Sequence, residues 1–232
     1  MGQDLGSDIP RWAVVSAVAA PITIITTWTL AASLQDDGYD PVRDTLSWLA
    51  TQAAVAPRLG ACGFALTGMA HIITAVGLRP VPRAGRLMLG LGGLATVGVA
   101  LLPTDRTHTA HMGAAGVAFV AMATWPAVAR DAAGLGRMAP WSGAAAASGM
   151  SVMLGWYWLE LQALIPGQGA RKGLAERIVA VTQSLWPLAV VLAVRAEPGS
   201  GTSERAAAAV AASVGAATPR WAAWTPWARA RA

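Results

Sequence analysis

Charged residues are scarce in this chain, and their scarcity excludes most soluble folds. Only 12% of the 232 residues are charged, 55% are hydrophobic, and the mean hydropathy is +0.48. Soluble domains ordinarily carry about 25% charged residues. The composition is therefore that of a protein whose solvent is mostly lipid.

Cysteine, phenylalanine and tyrosine are also scarce. The single cysteine, Cys62, excludes an intramolecular disulfide, and we expect its thiol to face other helices because it lies in an apolar run. The chain has two Tyr and two Phe against 11 Trp. Trp12, Trp48 and Trp141 stand at predicted membrane interfaces, where indole is favoured. The deeper tryptophans are expected to line an apolar pocket for a lipid tail or isoprenoid, or to stabilise a cation through their ring faces; they are Trp28, Trp156, Trp158 and Trp186. Trp156 is assigned to the ligand site.

Long apolar runs are what the chain has in abundance. They cover residues 12–34, 58–78, 87–102, 109–129, 141–165 and 177–194. A helix needs about 20 apolar residues to cross the hydrocarbon core. The runs predict an all-α fold, a polytopic transmembrane helical bundle of about six spans in the plasma membrane. The lipid bilayer is then a partner of most of the chain.

The runs also divide the chain into three regions. Residues 1–11 are a short cytoplasmic head, 12–195 the transmembrane helical domain, and 196–232 a cytoplasmic tail rich in Ala, Trp and Arg that is expected to be flexible or interfacial. The net charge of +5 comes from arginines at the ends of apolar runs. Anionic headgroups explain arginines in such places, so nucleic acid is not an expected partner.

Small residues recur every four positions in the fifth run. Gly143, Ala147, Ser151 and Gly155 share one helical face. Such stripes let helix backbones approach closely in lipid, so this face is predicted to pack against another helix.

The polar residues 39–48 separate the first two runs. Leu46, Leu49 and Ala53 recur at helical spacing, which predicts a short amphipathic helix from Pro41 onward, lying on the membrane surface. The order of the spans places this stretch at the same membrane face as several other polar side chains. These side chains are informative because ionisable groups at membrane depth need a partner or a cavity. These are Asp105, His108, His111, Glu160, Glu176 and Arg177.

Two classes of function follow from this polar cluster. The first is a binding, transport or structural protein that holds a small, lipid-like or isoprenoid ligand; its ligand residues are Asp40, Arg43, Asp105, Trp156, Glu160 and Arg177. The second is a membrane enzyme, a hydrolase or isoprenoid cyclase, with Asp44, Ser47, His111 and Glu176 as its catalytic groups. A plug of hydrogen bonds that ties the loops together explains the same residues.

No cofactor is assigned from the sequence, and no metal is part of the main interpretation. If a metal binds, its ligands are His108, His111 and Asp105, because two histidines three residues apart share a helical face.

Several short motifs occur in the same order as in a known family. They are Tyr39-Asp40-Pro41, Arg43-Asp44, Leu46-Ser47, Gly68 with His71, Pro103 with Asp105 and His111, Gly173-Leu174-Ala175-Glu176-Arg177, and Trp186-Pro187. Over residues 12–195 the chain resembles the bacterial integral membrane proteins grouped as domain of unknown function 998. The resemblance implies a polytopic helical membrane protein and no particular activity. More loosely, the chain resembles membrane-embedded hydrolases that gather Ser, Asp and His at one end of a bundle, but it lacks their paired histidines on a late helix.

The charges of the loops predict the orientation. Loop 79–86 has three arginines and no acid, whereas loop 35–57 has four aspartates and one arginine. By the positive-inside bias, both termini are cytoplasmic and residues 39–48 are external. A reporter fused after Arg86 should therefore read cytoplasmic and one fused near Asp40 external; the reverse pattern would contradict the assignment.

Overall fold

Each of the six apolar runs folds into an α-helix. A computed structural model of the chain describes residues 9–129, 138–163, 167 and 169–195. The helices are α1 (Arg11–Ser33), α2 (Pro57–Gly77), α3 (Arg83–Leu101), α4 (His108–Ala129), α5 (Ser142–Gln162) and α6 (Lys172–Arg195), with one 3₁₀ turn at Ser47–Ala50. The predicted all-α fold is confirmed. The predicted tail, 196–232, lies outside the described residues.

Five of the six helices are long and apolar enough to cross a membrane. They are α1, α2, α3, α4 and α6. The sequence predicts about six spans, but α5 is not among the five. Its 21 residues are largely alanine, glycine, serine and aromatic side chains of modest hydropathy, and they include Glu160.

The helices form a closed ring. Consecutive helices pack against each other along the chain, and α6 also packs against α1. Ile9 and Val194 belong to one apolar cluster with Leu78 and Val81, so both ends of the described chain lie at the same end of the bundle. We call it the terminal end, and the opposite end, where residues 34–56 join α1 to α2, the loop end. Which end faces the cytoplasm stays a prediction.

Close helix packing occurs at a different place from the predicted stripe. A Cβ on Gly68 would lie 2.5 Å from the carbonyl oxygen of Gly93, and a Cβ on Gly93 would lie 2.7 Å from that of Gly68, so α2 and α3 touch through their backbones. On α5, Ala147 is buried, but Ser151 and Gly155 are exposed. A Cβ on Gly155 would meet no atom within 4 Å, so the second half of the stripe borders open space.

The predicted amphipathic helix from Pro41 is wrong. Residues 41–44 form turns, because the Asp40 side chain accepts the backbone N–H of Val42 at 2.8 Å and thereby supports a turn in place of a helix. Two smaller expectations are also corrected. Cys62 is exposed on the bundle surface. Helix α6 begins at Lys172, earlier than expected, because its first turn is held by the preceding loop and by residues 39–48.

Candidate functional site

Residues 39–48, here called the docked loop, are held against the start of α6 by one guanidinium group. Nη1 of Arg177 donates to the backbone oxygens of Pro41 at 2.6 Å and Asp44 at 2.9 Å. Nη2 lies 2.5 Å from the hydroxyl oxygen of Tyr39. Burial raises the pKa of Tyr39, while the charge of Arg177 acts in the opposite direction. The phenol therefore stays protonated at neutral pH and its oxygen accepts from Arg177.

Two neighbouring residues of α6 complete this docking. A Cβ on Gly173 would lie 2.8 Å from the carbonyl oxygen of Pro41, so only glycine lets the docked loop come this close. The backbone N–H of Leu174 donates to the carbonyl of Val42 at 3.0 Å. N–H groups in the first turn of a helix have no partner within the helix. The docked loop supplies one.

Glu176 contacts the last residues of the docked loop. Its carboxyl group is 2% exposed and lies beneath the start of the 3₁₀ turn. It accepts the backbone N–H of Leu46 at 2.5 Å, faces the Ser47 hydroxyl at 3.4 Å, and is hydrogen-bonded to the Tyr157 hydroxyl on α5. A buried carboxyl group is costly unless it is hydrogen-bonded. These contacts join the docked loop, α5 and α6 at one point.

A histidine extends this contact into a chain of three side chains. Nδ1 of His111 lies 2.6 Å from the Leu102 carbonyl oxygen, and Nε2 lies 3.0 Å from Oγ of Ser47. Because a carbonyl oxygen only accepts, Nδ1 carries the hydrogen, and in the neutral ring Nε2 accepts from the serine hydroxyl. We call the chain His111–Ser47–Glu176 the relay. It places a histidine base on one side of a hydroxyl and a carboxyl group on the other.

The relay borders a groove between α4 and α5 with a volume of about 580 Å³. At the loop end its lining is polar and includes Ser47, His108, His111 and Lys172. Farther along, the lining is apolar and contains Phe119, Val120, Leu154, Leu161 and Trp158. A Cβ on Gly116 or Gly155 would meet no atom within 4 Å, so glycines on facing helices leave this space open.

Most residues predicted to bind a ligand hold loops instead. Asp40 and Arg43 form an exposed ion pair at 2.9 Å. The Val42 N–H and, less strongly, Arg43 lower the pKa of Asp40. Asp105 accepts the backbone N–H of Gln52 at 2.9 Å. Arg177 is occupied by the docked loop, as described above. None of these side chains lines the groove.

Trp156 and Glu160 form a second loop anchor. The indole N–H of Trp156 donates to Glu160 at 3.3 Å. The other carboxylate oxygen accepts the backbone N–H groups of Gly169 at 2.9 Å and Arg171 at 3.1 Å, which join α5 to α6. Trp158, which the sequence also predicts to line an apolar pocket, lines the groove, as does Trp48.

The four residues predicted to be catalytic separate into two groups. Ser47, His111 and Glu176 meet in the relay. Asp44 does not take part, because its carboxylate accepts the backbone N–H of Asp40 at 2.8 Å. Sequence reasoning missed Tyr157, the partner of Glu176; the available signal was a tyrosine three residues before Glu160 in a chain with only two tyrosines.

The predicted alternative metal ligands do not converge. In the described part of the chain, no group of three or more His, Cys, Asp or Glu side chains is close enough to hold a metal ion. Asp105 is bound to the Gln52 backbone, and both ring nitrogens of His111 are occupied by Leu102 and Ser47. The donor set expected from His108, His111 and Asp105 is therefore not assembled.

Comparison with known proteins identifies one family. The family model described as "Protein of unknown function (DUF998)" matches residues 17–193, well over half of the chain. The matched segment contains the docked loop, the relay and the groove. Neither a curated protein nor a solved structure matches the chain.

The clamp formed by Arg177 can be tested by thermal unfolding in detergent. Arg177→Gln removes the charged donors of the docked loop, and hydrogen bonds from charged groups contribute about 1.5–3 kcal/mol each. We expect a melting temperature lower by several degrees. Arg43→Gln is the matched control, because the exposed Asp40–Arg43 pair contributes about 1 kcal/mol or less. Equal melting temperatures for the two variants would show that the clamp is not stabilising.

Proposed function

The chain belongs to this DUF998 family of unknown function, and we propose that it binds a lipid-like amphiphile in the groove between α4 and α5. The observation that carries the proposal is the groove's division into a polar end and an apolar length. A volume of about 580 Å³ is typical of small-molecule sites, which span roughly 300–1,000 Å³.

The position of each side chain suggests how the amphiphile lies. Its chain runs along Phe119, Leu154 and Trp158, where burial of apolar surface favours binding. Its head group lies at the loop end beside Ser47 and Lys172. The ammonium group of Lys172 favours an anionic or carbonyl-containing head over a cationic one.

The groove is accessible from the bilayer side. Val120 is 53% exposed and Trp158 is 55% exposed, and both line it. A hydrophobic molecule can therefore enter laterally from lipid without passing through water. This supports a lipid-like ligand over a water-soluble metabolite.

Filling the groove tests the proposal. Gly116→Leu and Gly155→Leu place side chains in open space, so the protein should fold while the ligand is excluded. A clash between the new side chain and the ligand costs about 1–3 kcal/mol, which predicts binding weaker by about 5- to 150-fold. Occupancy is measured by native mass spectrometry and lipid extraction of the purified protein.

Gly149→Leu and Gly113→Leu are matched controls on the same two helices. A Cβ at either position also meets no atom within 4 Å, and neither residue lines the groove. Both should keep the co-purified amphiphile. A wild-type protein without a bound amphiphile, or equal occupancy in all four variants, contradicts the proposal.

A second candidate function is hydrolysis of the bound amphiphile, which the Ser47–His111 contact favours. With Nδ1 held by the Leu102 carbonyl, Nε2 is positioned to remove the serine proton. Oγ of Ser47 would attack an ester carbonyl, and His111 would pass the proton to the leaving alcohol. Water would then release the acid and restore the hydroxyl. The cyclase alternative has less support, because Glu176 does not line the groove.

A fluorophosphonate probe separates this hydrolase from a binding protein. Such probes react with serine hydroxyls activated by a base, so the wild type should be labelled at Ser47. Ser47→Ala should abolish labelling, and His111→Gln should slow it by about 10²–10⁴-fold, the usual contribution of a general base. Ser151→Ala is the control, because Ser151 lines the groove and bonds to none of the histidines in the described part of the chain. An unlabelled wild type eliminates the nucleophilic role.

A further inference from the structure

A second, smaller cavity lies inside the ring of helices. Its volume is about 60 Å³. Ser47 and Glu176 of the relay line it toward the loop end, and Thr67 and His71 on α2 line it farther in. The cavity therefore begins where the groove's polar end stops and continues into the bundle.

Two polar atoms on this lining have no hydrogen-bond partner among the residues that the structure describes. They are Oγ1 of Thr67 and Nδ1 of His71, and both residues are 3% exposed. An unsatisfied buried polar atom costs about 1–3 kcal/mol, and in native proteins such atoms nearly always have a partner, water included. The partner of these two atoms is therefore expected in the cavity that they line.

The size of the cavity limits what that partner is. One water needs at least about 10–15 Å³ of cavity volume and occupies about 30 Å³ in the liquid. A cavity of about 60 Å³ therefore holds about two to four waters. Gln183 and Glu176 on α6 offer further polar contacts. A ligand the size of the proposed amphiphile does not fit.

We propose that this cavity binds a short chain of water molecules that joins His71 to the relay. Ser47 and Glu176 bond to the waters at the loop end, and Oγ1 of Thr67 and Nδ1 of His71 bond to the waters farther in. Among the residues that the structure describes, His71 and Glu176 are the only ionisable side chains that line the cavity, so the waters join these two groups.

The water path has one open direction. Beyond His71, toward the terminal end, Leu78, Leu89 and Trp125 are fully buried in a continuous apolar cluster. The proposed waters therefore reach His71 from the loop end. The proposal makes His71 a buried imidazole that is hydrated from the relay.

Nitrogen NMR of the histidines tests this inference. The chain has three histidines, so His108→Gln and His111→Gln assign the signal of His71 by elimination. In ¹⁵N-histidine-labelled full-length protein in lipid bilayers, magnetisation should pass from water to the His71 ring. Absence of that transfer in the wild type overturns the inference.

Two substitutions in the lining make the test specific. Ala118→Leu fills the cavity and should abolish the transfer; Gly149→Leu, outside the cavity, should keep it. If Ala118→Leu does not fold, Thr67→Val is the variant that tests the inference. It removes one hydrogen-bond partner of the water at nearly equal volume, so it should weaken the transfer from water to the His71 ring. Thr124→Val is its control, because this half-buried threonine bonds within its own helix and does not line the cavity. Transfer unchanged by the folded lining variant also overturns the inference.

The presence of water at His71 does not depend on binding of the amphiphile. The same measurement on Gly155→Leu, in which the groove is filled, should still show water at His71. Failure of ligand binding and failure of the water chain are therefore distinguishable.

Discussion

The docking of residues 39–48 onto the start of α6 is the interaction on which the rest of the site depends. Arg177 binds backbone oxygens of Pro41 and Asp44 in the docked loop, and Glu176 binds the backbone N–H of Leu46 two residues farther along it. A guanidinium group and a carboxyl group on adjacent residues thus satisfy carbonyl groups and an amide group that would otherwise be left without partners near lipid. Gly173 makes the approach possible because any Cβ there would collide with the loop.

This docking decides where Ser47 lies. The 3₁₀ turn that follows the docked loop holds the hydroxyl between His111 on α4 and Glu176 on α6. The groove and the inner cavity then meet at the same serine. Without the docked loop, the carboxyl and imidazole groups would face two separate spaces, and acid–base chemistry between them would have no bridging group.

Selection of the relay residues was possible from sequence because ionisable groups at membrane depth are costly and therefore informative. His111 and Glu176 are assigned in this way, and Ser47 is assigned because it lies in the polar stretch that shares their membrane face. Their partners were not predictable, because Ser47 and Glu176 are 129 positions apart and Ser47 and His111 are 64 apart. The same argument selected Asp44 and Arg177, whose hydrogen bonds lie within the loop and its docking. The sequence does not distinguish a charged side chain that binds a ligand from one that hydrogen-bonds to backbone groups.

The sequence by itself determined the six helices and the lipid environment of five of them, since run length and hydropathy depend only on local composition. Tertiary structure decided which small residues pack and which leave space. Gly68 and Gly93 touch opposite backbones, whereas Gly116 and Gly155 border the groove, although all four stand in similar apolar helices. Helical spacing assigns residues to a common face. Which neighbour covers this face, and at what distance, is set only by the packing of the whole ring.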